Sequence, residues 1–194
     1  MNKQTIVLAS GSKYRQALLK KLALPFITHS PDIDESAKEN ESPTELVKRL
    51  SLEKAQACRD GHPGSIIIGS DQVCVIDGKI LGKPHTEAKA IEQLKAASGK
   101  HVAFYTGLTL LNAESGNTQT DLEPFHVHFR HLSDEEITRY IQKEQPLDCA
   151  GSFKCESLGI ALFDKLEGRD PNTLVGLPLI RLCEMLREEG IEVL

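Results

Sequence analysis

A short stretch near the start of the chain, Ile6-Val7-Leu8-Ala9-Ser10-Gly11-Ser12-Lys13-Tyr14-Arg15, decides the fold. An apolar run stops at a small, hydroxyl-rich loop, and a helical pattern with an apolar stripe follows at once. A strand that leads through a Ser/Gly loop into a helix brings free N–H groups and the positive end of the helix dipole together, which favours an anion. Ser10 and Ser12 add hydroxyl donors, and Arg15 adds a fork suited to phosphate. The alternative is a helix capped by Ser12 with nothing bound.

The composition is that of an ordinary soluble domain. The chain has 194 residues, of which 40% are hydrophobic and 26% charged, and we expect one domain over residues 1–194. The net charge is −5 and the pI is near 5.8, and no Lys/Arg cluster is present. Nucleic acid is therefore not the expected partner, and the predicted anion is small and held locally.

The cysteines and the hydropathy bear on the cellular location. The five cysteines are scattered and form no CxxC pair, which favours reduced thiols in a cytoplasmic protein over a zinc site or a disulfide framework. No signal peptide and no apolar run long enough to span a bilayer is recognisable, so a membrane is not an expected partner.

Strand and helix patterns alternate along the chain, and two hairpins interrupt them. The patterns predict strands at 4–9, 26–29, 66–69 and 160–163, and helices at 12–23, 43–58, 86–97, 133–143 and 173–188. Hairpins are predicted around Asp77-Gly78 and, with longer strands, around 114–117. Ser42-Pro43-Thr44-Glu45 has the residues of a capping box. The order indicates an α/β protein with a mixed sheet.

Four charged residues are candidates for chemistry. Asp71 follows the apolar run 66–69, and catalytic groups often lie at strand ends in open α/β sheets; the alternative is a turn-forming Ser-Asp pair. Lys83 stands between Gly and Pro and could reach a phosphate, or be a solvated loop lysine. Lys54 lies near the apolar edge of its helix, where a snorkelling lysine is the alternative. Glu35 belongs to an acidic loop, and such loops are usually only solvated.

These pieces together resemble the Maf-like nucleotide pyrophosphatases over nearly the whole length of the chain. The resemblance depends on the order and spacing of Ala9–Arg15, Glu35, Glu53-Lys54-Ala55, Gly69-Ser70-Asp71-Gln72-Val73, Gly82-Lys83-Pro84, Tyr105-Thr106-Gly107 and Pro171–Pro178. It implies a strongly twisted mixed sheet with a long hairpin and flanking helices, as in Maf and inosine-triphosphatase-like proteins. It also implies hydrolysis of a nucleoside triphosphate to the monophosphate and pyrophosphate with a divalent metal, Mg²⁺ or Mn²⁺.

The resemblance also implies roles for particular residues. Asp71 would be the general base, Glu35 and Asp71 would hold the metal, and Lys54 and Lys83 would complete the catalytic set. Ser10, Ser12 and Arg15 would bind the substrate. The family's usual N-terminal loop has Pro and Arg where this chain has Lys13 and Tyr14. That leaves Arg15 as the loop's only guanidinium.

Departures from the usual motifs resemble the branch that acts on 7-methyl-GTP. They are Tyr14, Gln72 and Glu156, which the resemblance assigns to specificity. A cationic methylated base suits an aromatic face and a carboxylate, and a glutamine amide can bond base or ribose edges. The expected function is hydrolysis of 7-methyl-GTP by a cytoplasmic enzyme whose partner is its nucleotide substrate. The resemblance is also compatible with a homodimer. The alternatives are a broader nucleotide pyrophosphatase and a nucleotide-binding regulator of cell division or septum formation.

Overall fold

The computed structural model describes residues 4–194, and these form an α/β protein with one mixed sheet. The strands are β1 (Ile6–Leu8), β2 (Phe26–Thr28), β3 (Ile66–Ile76), β4 (Lys79–Leu81), β5 (His101–Asn112), β6 (Thr118–Phe129) and β7 (Phe163–Gly168). The α-helices are α1 (Lys13–Lys20), α2 (Pro43–Ala57), α3 (Glu87–Ala97), α4 (Asp134–Glu144), α5 (Pro171–Val175) and α6 (Leu179–Glu188). Two short 3₁₀ helices cover Ala150–Ser152 and Leu158–Leu162. None of the helices in this part of the chain is both long and apolar enough to cross a membrane.

The sheet combines parallel and antiparallel pairs, which confirms the predicted mixed α/β class. Its strand order is β2-β1-β3-β5-β6-β7, and β4 pairs with β3. β1 is parallel to both β2 and β3, whereas β3–β4 and β6–β7 are antiparallel. The chain falls into two compact units. Unit 1 holds the residues up to Gln72, Thr106–Glu123 and those from Asp170 onward, and unit 2 holds Val73–Tyr105 and Pro124–Arg169.

Within unit 1, alternate side chains of β1 and β3 cover opposite faces of the sheet, as the period of a strand requires. On one face, Ile6, Leu8, Ile66 and Ile68 pack in a buried cluster with residues of α1 and α6. On the other face, Val7, Ala9 and Ile67 pack with Ala55 and Cys58 from α2 and its end. Helices therefore cover both faces at the point where β1 ends.

Asp71 does not follow a strand end, as the sequence suggested, but lies inside the 11-residue strand β3. Residues 69–72 continue the strand, with buried residues directly before and after them. β1 is the strand that ends here: its pairing with β3 stops at Leu8 opposite Ile68, and Ala9 N–H donates to the Ile68 carbonyl at 2.8 Å. The end of β1, and not the end of β3, therefore places the loop after β1 close to Asp71.

Two predicted elements near the C-terminus are wrong. Residues 160–163 belong mostly to the 3₁₀ helix Leu158–Leu162, and β7 begins only at Phe163. The single helix predicted for 173–188 is two helices, because Gly176 adopts a left-handed backbone (φ 115°) at the end of α5 and Pro178 follows. Asp170 caps both helices: its Oδ1 accepts from Asn172 N–H and its Oδ2 from Ile180 N–H, each at 2.8 Å.

Candidate active site

The loop after β1 has the predicted form. Ser12 is the N-cap of α1, and its Oγ accepts from Arg15 N–H at 3.4 Å. Ser10 is buried, and its Oγ accepts from Ser12 N–H at 3.1 Å. Both hydroxyl oxygens accept in these bonds, and a hydroxyl that accepts can also donate its own proton to an anion. Capping by Ser12 and anion binding are therefore compatible readings of the loop.

The guanidinium of Arg15 is held by the residue at the end of α5. Its Nε donates to the Gly176 carbonyl at 2.8 Å, and its Nη1 reaches Ser10 Oγ at 3.5 Å. The left-handed backbone of Gly176 turns that carbonyl toward the arginine, and a Cβ on Gly176 would lie 3.4 Å from Arg15 Nε. Burial lowers the pKa of the Arg15 guanidinium, while the charges of Asp71 and Glu35 oppose that shift. A guanidinium stays protonated in proteins, so Arg15 brings a positive charge near the carboxylates of Asp71 and Glu35.

Two glycines bring α2 against the sheet. A Cβ on Gly69 of β3 would lie 2.0 Å from the Ser51 carbonyl oxygen, and one on Gly107 of β5 would lie 2.1 Å from the Val47 carbonyl oxygen. Neither position accepts a side chain while α2 keeps its place. Ser51 also bonds Thr109 of β5 through their hydroxyls at 3.0 Å. This close approach places Lys54, one turn beyond Ser51, over Asp71.

Lys54 lies between two carboxylates. Its Nζ donates to Asp71 Oδ1 at 2.6 Å and lies 3.1 Å from Glu35 Oε1. Lys54 is only 7% exposed and Asp71 8%, whereas the Glu35 side chain is 57% exposed. Lys54 is thus buried, and the reading of it as a snorkelling lysine at the helix edge is wrong. In a buried ion pair of this kind, each partner supplies the opposite charge that offsets the cost of burying the other.

The carboxylates suit a divalent metal. Glu35 and Asp71 converge on one cation, and carboxylate oxygens are the ligands that Mg²⁺ prefers. Among residues 4–194 no group of three or more His, Cys, Asp or Glu side chains could hold a metal by itself. Two carboxylates from the chain are what Mg²⁺ commonly takes when waters and substrate phosphates supply the other ligands.

Gln72 is bound to the neighbouring elements through its amide nitrogen. Nε2 donates to Thr106 Oγ1 at 2.9 Å and to the Thr173 carbonyl at 2.7 Å. Thr106 Oγ1 also donates to the Thr173 carbonyl at 3.2 Å. An amide has two N–H donors, and these contacts use both, so only Oε1 remains for a ligand. Next to it, Ser70 is fully buried and its hydroxyl is within hydrogen-bond distance of the Gly107 and Gly176 carbonyls.

The remaining predicted residues lie on α1 and in unit 2. Tyr14 is half-buried in the first turn of α1, where the Lys13 ammonium lies 5.1 Å from its ring centroid. Lys83 of unit 2 is exposed in the loop between β4 and α3. Glu156 of unit 2 is exposed in the turn between the two 3₁₀ helices.

The turn that carries Glu156 is well anchored inside unit 2. On one side Phe153 packs edge-to-face with Phe104, Phe129 and Phe163. On the other side Lys154 N–H donates to Tyr140 Oη at 3.1 Å, and Lys154 Nζ donates to the Glu144 carbonyl at 2.9 Å. Glu156 is therefore an exposed charge on a fixed backbone.

Two residues that support the site, without chemistry of their own, were not predicted from the sequence. Arg49 of α2 binds the loop that carries Glu35, and the Gly176 carbonyl at the end of α5 holds Arg15. The i,i+4 spacing of Arg49 and Glu53 was a readable signal for an ion pair on α2. Contacts across the loop had no such signal.

Comparison with known proteins gives one family match and several solved structures of similar fold. The Maf-like protein family matches residues 5–189. Among solved structures, a HAM1 protein from Coxiella burnetii is 17% identical, with 96% of this chain and 100% of that chain covered and a TM-score of 0.56. The Ham1 protein of Staphylococcus aureus is 13% identical, with the same coverage and a TM-score of 0.55. At these identities the likeness shows a shared fold alone. The family match over nearly the whole chain shows that this protein belongs to the Maf-like family.

Proposed function

We propose that this protein hydrolyses a nucleoside triphosphate to the monophosphate and pyrophosphate. The observation that carries the proposal is the cluster of Lys54, Asp71 and Glu35, with the Arg15 charge beside it at the start of α1. A general base, cations for phosphate oxygens and an anion-binding helix start are the groups that this hydrolysis needs. Membership of the Maf-like family supports the same reaction.

In the proposed mechanism, Asp71 accepts the proton from the attacking water. Lys54 engages Oδ1 of this carboxylate, which leaves Oδ2 as the proton acceptor. The water oxygen forms a bond to the α-phosphorus, and the bond from that phosphorus to the oxygen bridging to the β-phosphorus breaks. Pyrophosphate leaves with the bridging oxygen. Arg15 and Lys54 offset the negative charge that builds on the phosphoryl oxygens, and Ser10 and Ser12 orient the triphosphate.

Glu35 and Asp71 are the residues that would hold the metal, with Mg²⁺ or Mn²⁺ as the expected ion. When bound, such an ion polarises phosphoryl oxygens and orients the leaving group. We further propose that Lys83, between Gly82 and Pro84, contacts the triphosphate. The proposed cellular setting is the cytoplasm, with a small nucleotide as the partner.

The finer proposal is that the preferred substrate is 7-methyl-GTP. Methylation at N7 makes the base cationic, and Tyr14 offers an aromatic face while Glu156 offers a carboxylate for the purine N–H groups. The fixed backbone around Glu156 supports this role, because a charge on an anchored turn is already oriented for binding. Gln72 can take part only as an acceptor through Oε1, since its N–H groups are used elsewhere.

A pyrophosphate-release assay tests the function. The panel contains GTP, ATP, dTTP, UTP and 7-methyl-GTP, each with Mg²⁺ or Mn²⁺. We expect turnover, fastest with 7-methyl-GTP. Comparable turnover of several nucleotides would favour a broader pyrophosphatase, and fast turnover of dTTP or UTP would contradict the 7-methyl-GTP proposal alone. Tight binding of the nucleotides without release of pyrophosphate would favour a regulatory binding protein.

The specificity residues have a test of their own. Tyr14→Ala removes a cation–π contact worth about 0.5–2 kcal/mol, and Glu156→Gln leaves a cationic base without its carboxylate at a cost of about 1–3 kcal/mol. Both variants should lower kcat/KM for 7-methyl-GTP more than for GTP, with the larger effect at Glu156. Glu135→Gln, an exposed carboxylate of α4, is the control. Equal losses on both substrates would show that these residues do not read the base.

A further inference from the structure

The loop that carries Glu35 is held by one arginine of α2. Residues 29–42 contain no helix or strand, and side chains of α2 add to the few backbone hydrogen bonds recorded in this segment. Arg49 Nε and Nη2 donate to the two carboxylate oxygens of Glu41, at 2.6 and 2.8 Å, in a bidentate pair. Nη2 also donates to the Ser36 carbonyl at 2.9 Å, and Nη1 donates to Glu53 at 2.8 Å. We call Arg49, Glu41, Glu53 and the Ser36 carbonyl the loop clamp.

The loop clamp acts on the backbone next to Glu35. Ser36 directly follows Glu35, and its own N–H donates to Asp34 Oδ1 at 2.9 Å. Further along, Glu41 Oε2 accepts from Lys38 N–H at 2.9 Å, which ties the far side of the loop to the same carboxylate. The Arg49 side chain is 15% exposed and that of Glu41 9%, so water competes little for these bonds.

The Glu35 side chain is mostly exposed. It is 57% exposed, and its Oε1 lies 3.1 Å from Lys54 Nζ. Arg49 and Lys54 both project from α2, whose own position is set by Gly69 and Gly107. The same helix therefore positions the Lys54 ammonium and, through the loop clamp, the backbone of the residue that faces it.

We propose that Arg49 is a positioning residue. Through Glu41, it keeps the Glu35 carboxylate beside Lys54 and Asp71, where the divalent metal would bind. This inference rests on the proposed function, in which Glu35 is a metal ligand. Residues that orient metal ligands change metal affinity by about 10–100-fold when they are removed. Loss of the loop clamp should therefore weaken binding of a divalent ion more than it slows the reaction at saturating metal.

Three variants separate positioning from charge. Arg49→Ala removes the loop clamp, Arg49→Lys keeps the positive charge but cannot form the bidentate pair, and Glu41→Gln removes the carboxylate partner. Arg181→Ala is the matched control, because Arg181 is also a helix arginine, 22% exposed and paired with Asp121 and Glu184 away from this loop. Thermal unfolding of each variant shows which are folded. Arg49→Lys and Glu41→Gln keep the test available if Arg49→Ala does not fold.

Binding of Mn²⁺ without nucleotide is followed by electron paramagnetic resonance, and amide hydrogen exchange is followed in residues 32–41. In Arg49→Ala and Arg49→Lys we expect Mn²⁺ affinity to fall about tenfold and exchange in the loop to rise. The half-saturating Mg²⁺ concentration should rise by a similar factor, with kcat at saturating Mg²⁺ within about threefold of wild type, because the clamp does not touch the reacting atoms. Arg181→Ala should match wild type in Mn²⁺ affinity, loop exchange and half-saturating Mg²⁺ concentration.

Unchanged Mn²⁺ affinity and loop exchange in a folded Arg49 variant would overturn the proposal. Recovery of wild-type affinity in Arg49→Lys would also overturn it, because charge rather than geometry would then be at work. A fall in kcat at saturating metal with an unchanged metal requirement would do the same. If wild type hydrolyses no nucleotide, the proposed function fails, whereas Mn²⁺ binding and loop exchange still decide the role of Arg49.

Discussion

At the scale of single residues, Asp71 is the group on which the reaction depends most. Asparagine at this position keeps the shape and an oxygen that can accept from Lys54, but it removes the negative charge and the proton acceptor. Asp71→Asn should lower turnover by about 10²–10⁴-fold, the usual contribution of a general base. The fold should survive with a loss of about 1–3 kcal/mol, because Glu35 still faces Lys54. Pyrophosphate release and urea unfolding measure the two effects.

The control for Asp71 is Asp60→Asn, at an exposed aspartate of the same unit. This variant should match wild type in both measurements. Turnover of Asp71→Asn within about threefold of wild type would remove Asp71 as the general base, because that loss is far below the expected range.

The two lysines of the proposed site should behave differently. Lys83 is exposed, so Lys83→Ala should change unfolding free energy by less than about 0.5 kcal/mol while slowing turnover by about 10²-fold. Lys54 is buried between two carboxylates, so Lys54→Met should cost stability as well as turnover. Lys89→Ala, at an exposed lysine of α3, is the control for Lys83, and unfolding of Lys83→Ala would make that residue structural.

Local signals predicted single residues well. Ser42 and Glu45 form the capping box that their spacing indicated, and Ser12 caps α1. The burial of Lys54 was not predictable, because it depends on how closely α2 approaches β3. The loop clamp was not predictable either, because Arg49 reaches residues 8 and 13 positions earlier across an irregular loop.

At the scale of elements, the contact of α2 with β3 and β5 determines the site. Gly69→Ala and Gly107→Ala each place a methyl group about 2 Å from a carbonyl oxygen of α2, so the helix must move away. Overpacking of this kind typically costs about 1–3 kcal/mol, and the movement takes Lys54 from Asp71. Both variants should unfold at lower urea concentration and lose turnover. Gly61→Ala is the control, because a Cβ there meets nothing closer than 3.8 Å. Full activity of Gly69→Ala would mean that the lysine does not depend on this contact.

Most elements were predictable from the sequence, but their limits and the two 3₁₀ helices were not. The strand, loop and helix of residues 6–20 and the long hairpin of β5 and β6 follow from periodicity. β3 was divided at 69–72, because polar residues inside a buried strand resemble a loop when only the sequence is available. Helix 173–188 was predicted unbroken because its apolar spacing continues across Gly176. The break is what turns the Gly176 carbonyl toward Arg15.

At the scale of the whole molecule, we expect two arginine-bound glutamates, one in each compact unit, to contribute to the acid sensitivity of folding. Hydrogen bonds from Arg49 and from Lys38 N–H lower the pKa of Glu41 from 4.5 to about 2. Hydrogen bonds from Arg130 and from Ser133 N–H lower that of Glu136 from 4.5 to about 2. A lowered pKa in the folded state means that the stabilising contribution is present above pH 4.5 and is lost as the pH falls toward 2.

Replacement of both glutamates should therefore change the pH dependence of stability in a defined range. The double variant Glu41→Gln with Glu136→Gln should have a lower unfolding temperature at pH 7. Its unfolding temperature should also change less between pH 4.5 and 2 than that of wild type, because the groups that titrate in this range are absent. Each single variant should show part of the change. Thermal unfolding at pH steps measures it, with wild type alongside. If the unfolding temperature of the double variant falls with pH as steeply as that of wild type in this range, the two glutamates do not cause the acid sensitivity and other carboxylates do.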